Sequence, residues 1–448
     1  MIKTRLLLYI FFTSIFFTSI LNAQQKPWTL LECLNYAREH NLQLKQGQLE
    51  ISQKKINKTA AIGAFLPDLN ANSSVSWNNG LTQNFTTGIL ENQTTFGGSG
   101  SVNAGMNLFN GMRNHYNYKK SLLEIISVQH KYADLEKNIN MQIASAYIEI
   151  LLNKENLESA RIQLENSIRQ KKRIEEMIQI GILPKGDLSD AEAQITNDNW
   201  QVVQAENAYE LAKINLAQLL EVNDFENFEI DENLSELKID HHLLQSLPEN
   251  LFEKAVKNNQ KIKQYETQEQ IADYQIKMAR SGYLPSLGAF FNINTRYSDR
   301  DQIGFGGITT PADPFWNQVK DNKGLTYGLN IRIPVLNGFN VRNQLKQAQL
   351  NKKNTELMTD ISLKNLKNDV YKMHKDLKAA FQSLKAAEAN LKAQRKAFDY
   401  ANEKFKVGML NTYELNNIKT NYVKAKNQYI NIKYQYYLKS KILEFTIK

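Results

Sequence analysis

The sequence of 448 residues is poor in the residues that mark several protein classes. Its one cysteine, Cys33, excludes an intramolecular disulfide framework and a cysteine-cluster metal site. Its 8 prolines and 20 glycines exclude a collagen-like or low-complexity chain. Charged residues make up 23% of the chain, and beyond the N-terminus no apolar run reaches the roughly 18 residues of a membrane-spanning helix. The sequence therefore does not encode a polytopic helical membrane protein.

The N-terminus predicts a signal peptide over residues 1–23. Lys3 and Arg5 precede an uncharged run of 16 residues, and Ala23 supplies the small residue expected at a cleavage point. A membrane-spanning helix is the alternative interpretation, but the run is shorter than the ~20 residues that cross a bilayer. We therefore expect a chain that is exported from the cytoplasm.

The remaining chain contains two halves that match each other. Short segments of the first half recur in the second, in the same order, at separations of 218 to 227 residues. Such an ordered series indicates an internal duplication, with one repeat over residues 24–247 and the other over residues 248–448. The matched segments are residues 64–69 with 282–287, 108–111 with 335–338, and 180–182 with 407–409.

Apolar residues at heptad spacing fill most of each repeat. Ile143 and Ile150 lie seven residues apart, and the second repeat carries Val370 and Leu377 at the equivalent positions. This spacing forms a seam that keeps facing one neighbour, so the helices are expected to supercoil. Each repeat is predicted to begin with one helix and to end in a long helical hairpin. The predicted hairpins cover residues 111–220 and 338–446, and a connector follows the first at residues 221–247.

Between the helices the apolar period changes from seven to two. One strand pair is predicted over residues 68–109 and a second over residues 286–336, with strands of about nine to eleven residues. Each strand has an apolar face and an asparagine-rich face, as lipid on one side and water on the other require. Half-buried soluble hairpins alternate in the same way. In a membrane, four strands cannot close a barrel around water, so several chains would have to share one barrel.

This ordered set of features resembles the TolC family of outer-membrane efflux and secretion channels. The resemblance covers the whole mature chain and rests on its N-terminal segment (residues 28–34, WTLLECL), two helix-to-strand junctions, two strand-to-helix junctions and two glycine-bearing turns. The junctions contain Pro67, Gly111, Pro285 and Gly338.

The resemblance implies an α+β membrane protein of the outer membrane with a large periplasmic portion. Long antiparallel coiled-coil helices would form an α-barrel, and each chain would contribute four β-strands to a shared transmembrane β-barrel. It also implies a homotrimer that works with a periplasmic adaptor (membrane fusion) protein and an inner-membrane pump. The channel would passively conduct drugs, metal ions or proteins in efflux or type I secretion. The identity of the substrate, the pump and the adaptor does not follow from the sequence.

Site residues carry over from the resemblance only at the two turns. The tips that adaptors dock against would be Ile180, Gly181 and Ile182 in the first repeat. Their counterparts in the second repeat are Val407, Gly408 and Met409. A glycine here also serves as an ordinary helix cap.

Two acidic residues follow the turns. Asp187 and Glu414 lie six residues after the two glycines, where the resemblance implies a ring of carboxylates at a narrow periplasmic mouth. Helix capping or compensation of the helix dipole is the alternative role.

The sequence departs from the family pattern beside the second turn. Phe405 and Leu410 stand where the resemblance places a tyrosine and an arginine that hold the channel shut. Neither side chain can form an ionic contact, so the hypothesis is an apolar constriction that gates by dewetting or side-chain packing.

No catalytic pattern stands out, and we expect neither an enzyme nor a cofactor or metal site. The six histidines lack the spacing of a zinc protease, and residues 97–101, although glycine-rich, lack the lysine of a phosphate-binding loop and are interpreted as a loop and strand start. The alternative function is a secreted coiled-coil structural or adhesive protein with soluble β-hairpins. The net charge of +9 suggests nucleic acid as a partner, but the signal peptide argues against it, so none is expected. Loops at residues 79–96 and 298–322 are expected to face outward.

Overall fold

The computed structural model describes residues 27–83, 89–225, 227–231, 242–299, 302–303 and 309–447. The predicted signal peptide lies outside these residues, as do parts of the predicted connector and of the two predicted outward loops. The described residues divide into two compact units. The hairpin unit takes its described residues from 27–47, 132–259 and 363–447, and the sheet unit from 48–131 and 260–362.

Helices make up most of the described chain. Among them, none combines the length and the apolar character that crossing a membrane requires. The helices are α1 (Leu30–His40), α2 (Leu42–Gly63), α3 (Arg113–Gln179), α4 (Gly186–Leu219), α5 (His242–Gln245), α6 (Pro248–Asn258), α7 (Gln260–Arg280), α8 (Phe315–Asp321), α9 (Asn340–Lys406) and α10 (Thr412–Ile447). The 67 residues of α3 and of α9 correspond to about 100 Å each at ~1.5 Å per residue.

Each repeat begins with two helices instead of the single helix predicted from the sequence. Asn41 follows α1 and Asn259 follows α6, and both have extended backbone angles. The two asparagines occupy matching positions in the duplication. Asn41 Oδ1 accepts hydrogen bonds from the backbone N–H groups of Gln43 (3.0 Å) and Leu44 (3.2 Å). The first break thus occurs where an asparagine satisfies N–H groups that the next helix leaves unpaired.

Heptad residues form the core of the hairpin unit. Ile143, Ile150 and Leu216 are fully buried in one apolar cluster, to which α1 adds Cys33. Burial, with a smaller effect of the Glu32 carboxylate, raises the pKa of the Cys33 thiol to about 12. This lone thiol is therefore protonated and unreactive at neutral pH.

The sheet unit contains a four-stranded antiparallel sheet. The described strands are β1 (Asp68–Gln83), β2 (Leu90–Asn110), β3 (Ser286–Ser298), β4 (Gln302–Ile303), β5 (Thr309–Thr310) and β6 (Gly324–Arg332). The strand order of the sheet is β1-β2-β3-β6, and β4 and β5 form a separate two-stranded ribbon.

The first two strands are longer than the sequence predicts. β1 has 16 residues and β2 has 21, against the expected nine to eleven, so they take in most of the predicted outward loop at residues 79–96. The interpretation of residues 97–101 as a loop and strand start was wrong, since they lie inside β2. Gly97 pairs with Ser76 of β1 and with Ser298 of β3. Strand pairing therefore continues on both sides of this segment, although its glycines are typical of a loop.

The register of the sheet separates a polar face from an apolar face. Asn70 lies opposite Asn103 and Asn72 opposite Ser101, whereas Leu69 lies opposite Ala104 and Trp77 opposite Phe96. Side-chain amides bond along the polar face: the Asn294 amide donates to Asn292 Oδ1 at 3.2 Å, and the Asn103 amide donates to Ser101 Oγ at 3.2 Å. These amides of the polar face thus find hydrogen-bond acceptors on the same face. On the apolar face, Leu69, Trp77 and Leu329 are exposed.

The predicted junctions lie at the ends of the sheet. Pro67 directly precedes β1 and Pro285 directly precedes β3. Proline suits these positions because it disfavours helical angles in the residue before it and lacks a backbone N–H.

The two strand-to-helix junctions contain turns of the same backbone conformation. Gly111 and the next residue, Met112, have φ angles of 65° and 66°, and Gly338 and Phe339 have 58° and 66°. The two junctions, which the sequence matches at a separation of 227 residues, thus share two successive left-handed residues. A side chain at Gly111 would also come within 2.7 Å of the Ser281 carbonyl oxygen, whereas no atom lies within 4 Å at Gly338.

Candidate functional site

The turn between α3 and α4 contains the first predicted tip. The Gly181 N–H donates to the Ile178 carbonyl at 3.0 Å, and the Ile182 N–H donates to the Met177 carbonyl at 2.9 Å. Together with the Gly181 φ angle of 80°, this pattern is a Schellman cap, in which a left-handed residue ends the helix. Ile180 and Ile182 are exposed on either side of the glycine.

The turn between α9 and α10 repeats these contacts. The Gly408 N–H donates to the Phe405 carbonyl at 3.0 Å, the Met409 N–H donates to the Lys404 carbonyl at 2.9 Å, and the Gly408 φ angle is 75°. Val407 and Met409 are exposed, as their counterparts are. Both hairpins of the hairpin unit therefore end in a rigid glycine cap that presents two apolar side chains to solvent.

The two acidic residues behind the tips differ in their contacts. The Glu414 N–H donates to Asn411 Oδ1 at 2.8 Å, and Glu414 Oε2 accepts from the Asn411 N–H at 3.5 Å, which makes a capping box at the start of α10. Asp187 lies in the first turn of α4, where the N-cap residue, Lys185, makes no side-chain cap hydrogen bond. Its charge is favourable there because of the helix dipole. Glu414 thus has a local role that does not require a pore.

Phe405 and Leu410 lie in an apolar cluster where the hairpins end. The Phe405 ring is 3% exposed and packs with Ile174, Ala191 and Leu415, while Leu410 is half-buried against the cluster. The cluster takes Ile174 from α3, Ala191 from α4, Phe405 from α9 and Leu415 from α10, and Leu410 lies in the turn between α9 and α10. In this conformation the ring joins the four helices of one chain instead of facing open space.

The sequence interpretation missed a buried polar network further along the same helices. Lys419 Nζ donates a hydrogen bond to Ser167 Oγ at 2.7 Å, and Ser167 Oγ donates in turn to Asp198 Oδ2. Asp198 also accepts from the Gln194 amide at 2.8 Å and from the Gln163 amide at 3.3 Å. Lys419, Ser167 and Asp198 are each 4% exposed. The network connects α10 to α3 and α4.

The position of these residues in the heptads is the signal that could have revealed the network. Ser167 follows Leu164 by three residues, Asp198 follows Ile195 by three, and Lys419 follows Leu415 by four. All three are polar residues that lie on the same helix face as the apolar heptad residues. Polar residues at such positions commonly fix helix register at a cost in stability.

Burial gives Lys419 unusual electrostatics. Its pKa is lowered because burial removes the ammonium group from water, and the nearby Asp198 carboxylate opposes that shift. A cavity of about 530 Å³ adjoins the network between α3, α4 and α10. Its lining is rich in side-chain amides, including Asn153, Asn156, Gln201 and Asn427. Among the described residues, no cluster of histidine, cysteine, aspartate or glutamate could hold a metal ion.

The chain matches a known family over most of its length. The family model described as "Outer membrane efflux protein" matches residues 33–221 and 251–445. The outer membrane protein TolC of Escherichia coli (strain K12) is 23% identical over 428 residues, which cover 91% of this chain and 79% of that protein.

Solved structures show the same fold. The outer membrane protein VceC of Vibrio cholerae superposes with a TM-score of 0.74 at 14% identity, covering 93% of this chain and 94% of the VceC chain. The Campylobacter jejuni CmeC outer membrane channel superposes with a TM-score of 0.73 at 17% identity, covering 93% of this chain and 85% of its own.

Proposed function

Because the chain belongs to the outer membrane efflux protein family, whose members are transport channels of the outer membrane and not enzymes, we propose that three copies of it form one channel. The observation that carries the proposal is the open sheet. In the part of the chain that the structure describes, β1 and β6 are its two outermost strands, and each has one neighbour. Unpaired backbone groups cannot remain in lipid, so the edges of one copy must pair with those of another.

The number of strands favours three copies over two. Two copies would give eight strands, and a barrel of that size is filled by its own side chains. Three copies would give twelve strands and leave a lumen lined by the asparagine-rich face. The apolar face would then contact lipid.

Exposed apolar residues on the long helices support lateral contacts between copies. α4 exposes Trp200, Val203, Leu211 and Ile214, whose separations of three, eight and three residues place them on one face of the helix. The buried face of α4 packs within the same chain. α9 exposes Leu350 and Leu357, which are seven residues apart. Seams of this kind are typical of helices that pack against further helices. In the proposed trimer the hairpins form an α-barrel in the periplasm.

The tips and the residues behind them are proposed to work with partner proteins. The two glycine caps with their exposed Ile180, Ile182, Val407 and Met409 would dock a periplasmic adaptor, which connects the channel to an inner-membrane pump. The channel itself would conduct passively, in efflux or type I secretion. Asp187 and Glu414 would place carboxylates at the periplasmic mouth, which would favour cations over anions.

The gate is proposed to be apolar. Phe405 and Leu410 hold the hairpin ends together through the buried cluster, and the channel would open when that cluster separates. The buried polar network along the same helices would resist the same separation, since parting Lys419 from Ser167 leaves a buried charge without its hydrogen bond.

Fractionation and conductance test the proposed function. We expect the mature chain to sediment with outer membranes, to resist carbonate extraction, to migrate as a trimer in unheated gels and to form channels in planar bilayers. A protein that washes off with carbonate would favour the alternative, a secreted coiled-coil adhesive protein. A lone monomer that needs no detergent and leaves liposomes impermeable would contradict the proposal.

A further inference from the structure

The neighbour of β3 changes near the end of the strand. Among the described residues, β3 pairs with β6 as far as the Asn294–Gly324 pair, while it continues beside β2 to the Ser298–Gly97 pair. Helix α8 packs against this part of β3.

Gln318 of α8 bonds to the backbone at the end of β3. It is 7% exposed, and its amide donates to the Ser298 carbonyl at 2.8 Å and to the Asp313 carbonyl at 2.7 Å. Its Oε1 accepts from the Ser298 N–H at 3.1 Å, so one side chain satisfies both backbone groups of Ser298. The Asn322 amide adds a bond to the Arg296 carbonyl at 3.0 Å. These bonds hold α8 in a fixed place against the sheet.

A row of aromatic rings continues from the sheet onto α8. Neighbouring rings of the row have centroids 4.9 to 5.8 Å apart, and the row begins and ends with exposed tryptophans. Its members are Trp77 of β1, Phe96 of β2, Tyr297 of β3, and Phe315 and Trp316 of α8. The strand members lie on the apolar face, because Trp77 is opposite Phe96 and Tyr297 is opposite Gly98.

The apolar face has the height of a hydrocarbon layer. From Leu287 to Tyr297 it extends over eleven residues of β3, or ~33 Å along the strand for ten steps of ~3.3 Å. A strand tilted by about 40° would then span about 25 Å, the height of the apolar band of a transmembrane barrel. At the other end of this face Phe109 lies opposite Leu287 and is exposed. Two further exposed aromatic residues, Phe65 and Tyr283, lie three residues before β1 and β3.

We propose that α8 is a lipid-binding platform that lies at headgroup level in the membrane. This inference rests on the proposed insertion of the sheet as a channel. Trp316 is 77% exposed and shares a helix face with Lys320, which is four residues later and also exposed. An indole ring favours the boundary between acyl chains and headgroups, and a lysine stem lets its ammonium group reach lipid phosphates. Gln318 fixes the helix so that both side chains stay at that depth.

Depth-dependent fluorescence quenching of the full-length channel tests the platform. The chain has four tryptophans, so the variant W28F/W77F/W200F reports on Trp316 alone. In phosphatidylcholine vesicles we expect bromine near the glycerol end of the acyl chains to quench Trp316 about twofold more than bromine near the methyl end. A matched variant that keeps only Trp200, exposed on α4, is expected to show no quenching. Quenching of Trp316 no greater than that of Trp200 would overturn the platform.

A second position separates failure of the platform from failure of the proposed channel. Leu325 is exposed and lies opposite Ile293, near the middle of the apolar face, so L325W in a chain with all four native tryptophans changed to phenylalanine reports on insertion of the sheet. If L325W is quenched by deep bromine but Trp316 is not, only the platform is wrong. If neither is quenched, the sheet is not inserted and the proposed channel fails.

Substitution of Gln318 tests how the platform is held. Q318A is expected to reduce the quenching of Trp316 about twofold, because the helix loses its bonds to Ser298. N317A, which changes the exposed neighbouring residue, is expected to leave quenching unchanged. Equal quenching in both variants would show that Gln318 does not position α8. If the triple tryptophan variant fails to fold, W316F in the native chain is expected to remove the interfacial component of the emission, and no change in that component would overturn the platform.

Discussion

The Lys419 ammonium group donates a hydrogen bond to the Ser167 hydroxyl across 2.7 Å, and both side chains are buried inside the hairpin unit. This bond joins α10 to α3 at a point where the surrounding heptads would place apolar side chains. Through Ser167, the Asp198 carboxylate on α4 is connected to the same lysine. A charge pair at this depth is stable only if both charges keep their partners, so the network is sensitive to single substitutions.

Removal of the Asp198 charge is the first prediction. D198N leaves the buried Lys419 ammonium group without the nearby carboxylate, and leaving a buried charge uncompensated costs about 3–5 kcal/mol. We expect a lower urea midpoint for loss of helical signal. D190N, at an exposed position on the same helix, should change stability by less than about 0.5 kcal/mol. Equal midpoints for the two variants would show that Asp198 does not stabilise the interface.

The pH dependence of Lys419 is the second prediction. Burial lowers the pKa of Lys419 in the folded chain below its ordinary value of 10.5, so the unfolded chain binds more protons between those two pKa values. Stability from this group therefore rises as pH rises through that window, and it is lowest where Lys419 is protonated in both states. The difference in unfolding free energy between the native chain and K419M, followed from neutral pH towards pH 10.5, measures this contribution. A difference that stays constant with pH would contradict the prediction.

Conductance of the apolar gate is the third prediction. F405A and L410A remove packing from the cluster that joins the hairpin ends, and loss of a buried phenylalanine costs about 3–5 kcal/mol. We expect the double variant to have a larger single-channel conductance in planar bilayers and a larger open fraction. Y400A, an exposed position on the same helix, serves as the control. Unchanged conductance in the double variant would count against these residues as the gate.

The role of Glu414 is the fourth prediction, because its two candidate roles can be separated. E414Q keeps an oxygen that accepts from the Asn411 N–H but removes the charge, whereas E414A removes both. We expect E414Q to weaken cation selectivity, measured as a reversal potential across a salt gradient, without a change in stability. E414A should also destabilise the start of α10 by about 1 kcal/mol. If E414Q retains full selectivity, Glu414 serves only as a cap.

The two strand-to-helix turns provide the fifth prediction. G111A and G338A both place an alanine at a left-handed φ angle, which costs on the order of 1 kcal/mol. Only G111A also brings a side chain against the Ser281 carbonyl and Leu284. We therefore expect G111A to lower the temperature at which the assembled oligomer dissociates in gels by more than G338A does. Equal effects would mean that the close approach relaxes without cost.

The sequence predicted the elements whose signals are local and repeated. The heptads of α3 and α9 give the long helices, and Pro67, Pro285 and Gly111 mark ends of β1, β3 and β2. The predicted end of the last strand at residue 336 was wrong, since β6 ends at Arg332, six residues before Gly338. The sequence did not predict the break at Asn41, because a single asparagine within a helical pattern looks like any exposed polar residue. The length of β2 was also missed, since the glycines around Ser99 have the composition of a loop and only pairing with β1 and β3 makes them a strand.

What the sequence determined by itself is the periodicity of the chain, the recurrence of short segments in its two halves and the two turns, because spacing and backbone preference depend on neighbours along the chain. Only the tertiary structure decided which side chains meet across long separations. It buried Phe405 among four helices, joined Lys419 to Ser167 over 252 residues, and bonded Gln318 to the backbone at the end of β3. Such contacts depend on how helices and strands pack in space, and a single sequence carries no direct record of that packing.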